Sequence, residues 1–243
     1  MRSSTEQSAV GAAQRGTRAR LTRHDVLLTA LQLIDDQGVD ALSMRRLGRA
    51  LDRDPMRLYR FAGSKDELLD GIVELVLGEL QVPTDAPAHT WPAVLRTVAH
   101  AYRGLALRHP HVVPLLVTRP LSTPLGLRPL GTLRPLEALL ELLIRAGFES
   151  GGSLHAYRLY MGFLQGHVLN ELQERVQNPD ETDDLLRLGL YRLPAREFPR
   201  LRSLATALAS YDGARELDEG LDVVLGGLER QLDASTGANG NSD

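Results

Sequence analysis

Apolar residues recur every third or fourth position through most of the chain, and where the recurrence stops, prolines, glycines or acidic residues replace it. The pattern predicts an all-α protein. A first helix begins near Thr22 with Val26, Ala30, Leu33 and Ile34 on its buried stripe, and Gly38 supplies its stop. Ser43 caps a short helix carrying Leu47 and Leu51, and Asp54 with Pro55 opens another around Leu58. Ser64-Lys65-Asp66-Glu67 reads as a capping box, and the helix behind it, over 65–80, carries Leu68, Leu69, Ile72, Leu75 and Val76.

Residues 81–90, with Pro83 and Pro87, mark a boundary. Beyond it Thr90 caps a helix with Val94, Leu95, Val98, Tyr102 and Leu105 at helical spacing, ended by His109-Pro110. Five prolines between 110 and 131 predict short helical turns at most, forming a bend or pocket lid. A helix over 132–146 tolerates Pro135 in its first turn. The longest helix spans 153–176, with Leu154, Tyr157, Met161, Leu164, Val168 and Leu172 on one face and Gly162 and Gly166 one turn apart. Each glycine costs a helix about 1 kcal/mol relative to alanine, so close approach by another helix would explain them. An acidic loop from Asn178 to Asp184 and short helical pieces at 185–190 and 201–209 precede a last helix, over 213–232. Its stripe is Leu217, Leu221, Val224, Leu225, Leu228 and Leu232.

The expected division is a basic, disordered tail (1–20), a three-helix DNA-binding head (21–66), a connecting helix (67–82), a larger helical body (83–233) and a disordered tail (234–243). Charge sharpens this picture. Residues 1–65 hold twelve Lys and Arg against seven Asp and Glu; the remainder holds sixteen against twenty-four. A polyanion suits the basic end, and the acidic body should point away from it. The chain has no cysteine, and no apolar run reaches the roughly 20 residues that span a bilayer. A soluble cytoplasmic protein without a membrane partner is expected.

The short helix opened by Pro55 cannot stand alone, and packing on its neighbours leaves Met56, Arg57, Tyr59 and Arg60 to meet another molecule. The ordered set Ala30…Leu33-Ile34…Gly38, Leu42-Ser43-Met44-Arg45, Leu58-Tyr59 and Ser64-Lys65 before Leu68-Leu69 resembles the tetracycline-repressor family across residues 21–80. Asp52-Arg53 stands where the family often has Gly-Val, and Arg60-Phe61-Ala62 where it often has an aromatic or histidine pair. The resemblance implies a helix-turn-helix head touching DNA through Ser43, Arg45, Pro55, Met56, Arg57, Tyr59, Arg60 and Lys65. Arg45 is the candidate for bidentate contact to guanine. Lys65, the only lysine in the chain, is placed to share a phosphate with a helix N-terminus.

The stretch FPRLRSLATALASYDGARELDEGLDVVLGGLERQL resembles the carboxy-terminal part of the subgroup nearest the tetracycline repressor itself. That implies a homodimer built from the two long helices, with Tyr157, Met161, Leu164, Leu217, Leu221, Val224 and Leu228 as interface candidates, and a cavity for a small-molecule effector. The subgroup's drug-and-magnesium site does not carry over, because its histidine falls on Gln81, and neither metal nor cofactor is implied. Trp91, His100, Tyr102, Arg103, Met161, Gln165 and His167 are the pocket candidates, with ordinary core or surface placement as the competing reading. The expected function is a repressor released from a pseudo-palindromic double-stranded DNA operator by a ligand. Control by a protein partner is the alternative. Catalysis has little support, since Asp35-Asp36, Asp180 to Asp184 and His109-Pro110-His111 are better read as surface, and no phosphate loop or nucleophile motif is present.

Overall fold

The structure, a computed structural model, describes residues 20–122, 124–177 and 183–239. Twelve α-helices and three short 3-10 turns make up its regular structure, with no strand among the described residues. The head consists of α1 (Arg23–Gln37), α2 (Met44–Ala50) and α3 (Pro55–Leu58), and α4 (Lys65–Gly78) joins it to the body. The body holds α5 (Trp91–Arg108), α6 (Val113–Ser122), α7 (Leu130–Arg145), α8 (Ser150–Gln177), α9 (Asp183–Arg192), α10 (Pro199–Ser203), α11 (Ala205–Leu208) and α12 (Gly213–Asn239).

Each head helix starts where a side chain takes over an orphan amide. Thr22 and Asp25 form a reciprocal box at α1: the Asp25 amide donates to Thr22 Oγ1 at 3.1 Å, and the Thr22 amide to Asp25 Oδ2 at 2.9 Å. Ser43 caps α2 through the Arg46 amide, Asp54 caps α3 through the Met56 amide, and Ser64 caps α4 through the Glu67 amide. Val26, Ala30, Ile34, Leu47, Leu58 and Ile72 are fully buried together, so four short helices share one core.

The turn between α2 and α3 requires two unusual positions. Asp52 has φ +49°, a left-handed conformation that glycine adopts without strain and that Asp tolerates better than most residues. Gly48 lies against the turn itself, and a Cβ there would sit 2.8 Å from the Arg53 carbonyl oxygen and 3.0 Å from the Pro55 ring. That close backbone approach sets the angle at which α3 leaves α2.

In the body, α8 packs on α7, α5 and α12, and α12 also packs on α5. Leu95, Leu142, Leu143, Tyr160, Leu164, Leu217, Leu221 and Leu228 fill the space between them, and the Tyr160 hydroxyl donates to the Leu95 carbonyl at 2.7 Å. The boundary segment is pinned to the body, with Arg145 Nη2 donating to the Thr84 carbonyl at 2.7 Å.

Four expectations need correction. The proline-rich stretch contains a ten-residue helix, α6, because Pro114 falls at its second position, where no amide hydrogen is needed, and the helix ends two residues after Pro120, which has no N–H for the Leu116 carbonyl. Helix α7 starts at Leu130 rather than 132, which places Pro135 inside it and removes the N–H that would bond the Gly131 carbonyl. Asp183 and Asp184 open α9 rather than ending a loop, and Asp184 accepts from Arg187 Nη2 at 2.7 Å. Helix α12 continues to Asn239, so residues 234–239 are helical where a disordered tail was expected. Residues 1–19, 123, 178–182 and 240–243, which include most of the first expected tail, the end of the second and most of the acidic run, lie outside the described residues.

Gly48→Ala should destabilise the protein by about 1–3 kcal/mol, as overpacking against backbone does. Gly78→Ala, where a Cβ meets nothing, should stay within about 0.5 kcal/mol of the parent. Urea denaturation of the two variants checks the pair, and equal stabilities would mean that the turn does not depend on Gly48.

Candidate DNA-reading face and effector cavity

On the head, Leu58 turns inward and its neighbours turn outward. Met56 is 73% exposed and Tyr59 45% exposed, although both are large and apolar, and Arg57 and Arg60 are exposed beside them. The Arg60 guanidinium lies 4.5 Å from the centre of the Phe61 ring, which holds it against the head while leaving its edges to solvent. Arg45, Arg46 and Arg49 line the exposed side of α2, and Arg46 is tethered to the Ala41 carbonyl at 3.3 Å. Lys65 Nζ donates to the Val39 carbonyl at 3.3 Å, which fixes the ammonium between the 3-10 turn (Val39–Ala41) and α4 and leaves two of its three donors. Ser43 and Pro55 sit at the starts of α2 and α3, next to these cations.

Inside the body is a cavity of about 110 Å³, bounded by α4, α5, α6, α7 and α8. Leu77, Leu80, Val98, Leu116, Leu133, Pro135, Leu136, Leu139 and Leu164 supply its apolar walls; Tyr102, Arg128, Thr132, Tyr157 and Gln165 supply polar groups, and Met161 a thioether. Tyr102 is 2% exposed, and its hydroxyl has no hydrogen-bond partner. Burial, followed by the neighbouring Tyr157, pushes its pKa up to about 12, so it enters the cavity as a neutral donor. An unpaired hydroxyl in an apolar cavity costs stability unless something completes it.

Of the pocket candidates, Tyr102, Met161 and Gln165 line this cavity and the others do not. Trp91 is core, packed edge-on against Phe148 at 5.4 Å. His100 faces solvent and pairs with Asp218 at 2.8 Å, and that contact holds the Asp218 carboxyl below its usual range. Arg103 makes a bidentate pair with Glu171, Nε to Oε2 at 2.8 Å and Nη2 to Oε1 at 2.6 Å, and Glu171 is 1% exposed. His167 bonds the Gly213 carbonyl at 3.0 Å and borders Glu171. These polar residues are used as structural ties.

The dimer candidates are also largely internal. Leu164, Leu217, Leu221 and Leu228 are at most 1% exposed within one chain and offer no surface to a partner, while Tyr157 and Met161 line the cavity and are half-buried. The longest apolar stripe of each helix was read as an interface, whereas that stripe fills the chain's own core. The outward faces carry the glycines: a Cβ at Gly162, Gly166 or Gly227 meets nothing within 4 Å, and Val223 is 74% exposed. Sequence reasoning missed Arg128, Thr132, Pro135 and Leu136 in the cavity wall: Arg128 lies between prolines outside any predicted helix, and for the other three the helix was predicted but not which of its faces meets the cavity. Pro135 within an otherwise regular amphipathic stretch was the available signal.

A short, cation-rimmed helix on a capped three-helix head, joined through one helix to a body with an internal cavity, defines a helix-turn-helix regulator. Residues 26–72 match the family described as bacterial regulatory proteins, tetR family, and residues 82–232 match the tetracyclin repressor-like C-terminal domain. The second match covers more than half of the sequence, and the chain belongs to the tetracycline-repressor family of transcriptional regulators. It is 30% identical to the HTH-type transcriptional repressor DrrR1 of Streptomyces coeruleorubidus, over 66% of this chain and 57% of that one. With tetracycline repressor protein class D of Escherichia coli it shares 29% identity over 89% of this chain and 93% of that one. The structure of the TetR family protein ActR of Streptomyces coelicolor in complex with actinorhodin superposes with a TM-score of 0.73 at 30% identity, covering 88% of this chain and 99% of that one.

Tyr102→Phe should raise the stability of the unliganded protein by roughly 1 kcal/mol, because it removes a buried donor that nothing satisfies. A urea midpoint that falls instead would show that the hydroxyl already has a partner.

Proposed function

We propose that the chain is a homodimeric repressor whose two heads read a pseudo-palindromic operator, and that a small molecule entering the body cavity releases it. The observation that carries this reading is the unpaired Tyr102 hydroxyl in a cavity whose wall includes Leu77 of α4, the helix that begins immediately after the reading face. The cavity is smaller than the ~150 Å³ void that accepts benzene. A larger ligand must therefore part Leu77, Leu80 and Pro135, and the first of these displaces α4. In this reading Ser43, Arg45, Pro55, Met56, Arg57, Tyr59, Arg60 and Lys65 meet DNA. ActR, with its bound actinorhodin, supports a ligand-occupied body, and the two repressor relatives support repression. A DNA target supports a cytoplasmic location.

Two features support self-association. The outward faces of α8 and α12 present the bare glycines and Val223, and the α9–α11 region leaves Leu185, Leu188, Tyr191, Phe198, Leu201 and Leu204 exposed in a single chain. A patch of this kind is covered in most stable proteins. One short recognition helix also reads too few base pairs for selectivity, whereas two held about one helical turn apart read a palindrome. Gly162→Leu should leave the monomer folded, since a side chain there meets nothing, and abolish the dimer in sedimentation; a dimer that persists would move the interface elsewhere.

Selection from random duplex DNA should return a pseudo-palindrome. Arg45→Ala should cost about 1–3 kcal/mol and relax one base position, while Lys65→Ala should weaken all sequences alike and reduce the salt slope by about one. An unenriched pool with only salt-sensitive binding would remove the repressor reading.

A further inference from the structure

The cavity carries information about the charge of its ligand. Among the described residues, Arg128 is the only charged residue lining it. A second recess of about 260 Å³ shares the Leu77, Leu80 and Pro135 wall, and its only charged lining residue is Arg134. Among the described residues no carboxylate lines either space, although the chain beyond residue 65 holds twenty-four acidic residues against sixteen basic ones.

Two carboxylates of the connecting helix region, Glu74 and Glu79, are held by other groups. Glu74 accepts from the Gly131 amide at 3.1 Å and faces Arg23 at 3.8 Å. Glu79 pairs with Arg108 at 2.8 Å and lies 4.0 Å from His109. Arg134 has no acidic partner among the described residues. The charge of Arg128 reaches the Tyr157 phenol, whose pKa burial raises and Arg128 draws back down.

A cation entering these spaces would be desolvated with no opposite charge to meet it and with an arginine at either level. An anion would meet both arginines, the outer one still hydrated. At the inner end Tyr102 offers a hydroxyl that needs an acceptor, and Gln165 an amide.

We propose that the effector is an amphipathic organic anion: an apolar body among the leucines, a neutral oxygen accepting from Tyr102, and a carboxylate or phenolate directed to Arg128 and Arg134. This rests on the ligand-release reading and narrows its chemistry. Anion recognition here is weaker than in a polar site, because the walls are leucine and proline and only the arginines hold charge. The outer arginine favours entry, and the inner one fixes the orientation.

The test uses the full-length protein and matched arene sets of one to three fused rings, each as carboxylic acid, methyl ester and primary aminomethyl compound carrying a ring hydroxyl. Binding is read by thermal shift and titration calorimetry, and operator release by fluorescence anisotropy. Within sets that bind, the acid should bind about tenfold tighter than its ester, and the amine should not bind. The Arg128→Gln, Arg134→Gln double variant should lose the acid's advantage over the ester. Esters or amines that bind as well as acids and release the operator would overturn the anion inference while leaving ligand release standing. If no compound of any charge bound or released DNA, both would fall.

Discussion

The arrangement of the body depends on one buried ion pair. Glu171 is nearly inaccessible on α8 and is held in two places by the guanidinium of Arg103 on α5. Removing Arg103 would strip the buried Glu171 carboxylate of its bidentate partner, a loss of about 3–5 kcal/mol. The pair also draws in α12, because Gly213 at its start leaves no room for a Cβ beside the Glu171 carboxylate, and the Gly213 carbonyl accepts from His167. Three helices thereby meet at one polar knot within a leucine-filled core. Leucine packing sets how close the helices come, and the knot sets their register.

That register has two consequences on opposite sides of α8. Towards the inside it presents Tyr157, Met161, Leu164 and Gln165 to the cavity; towards the outside it presents Gly162 and Gly166, where nothing yet packs. One helix therefore carries the cavity wall and the open face together. A change in the cavity can reach that face through a rigid element, without passing through loops.

The head is tied to the body by a different kind of contact. His109 Nδ1 lies 2.8 Å from Asp35 Oδ2, and His111 Nδ1 lies 3.1 Å from the Ile34 and Asp35 carbonyls at the end of α1. Arg119 on α6 spans Asp66 and Asp70 on α4, and the Gly131 amide at the start of α7 reaches Glu74, which faces Arg23 of α1. These contacts are polar, partly hydrated and directional. They resist small displacements but exchange partners more easily than a leucine core does. They run beside an apolar core that is continuous from Val26 and Ile34 of the head, through Ile72 and Val76 of α4, to Leu95 and Leu164 of the body.

How much of this was legible in the sequence depends on what kind of signal each feature leaves. The caps at Thr22, Ser43, Asp54 and Ser64 were legible because capping is local, and the outward turn of Met56, Arg57 and Tyr59 followed once Leu58 was assigned to the core. The cavity was legible only in part. Tyr102, Met161 and Gln165 lie on regular helices whose polar members could be singled out, while Arg128 stands between prolines and Pro135 belongs to a helix whose inward face the sequence does not mark. Most of the interface candidates are buried within the single chain for a physical reason: hydrophobic periodicity reports burial and does not say against what. In α8 and α12 the strong leucine stripe belongs to the chain's own core, and the weaker signal, glycines one turn apart, marks the face left open. A side chain hidden in the monomer cannot also be offered to a partner, so on such helices the small residues are the better guide to association.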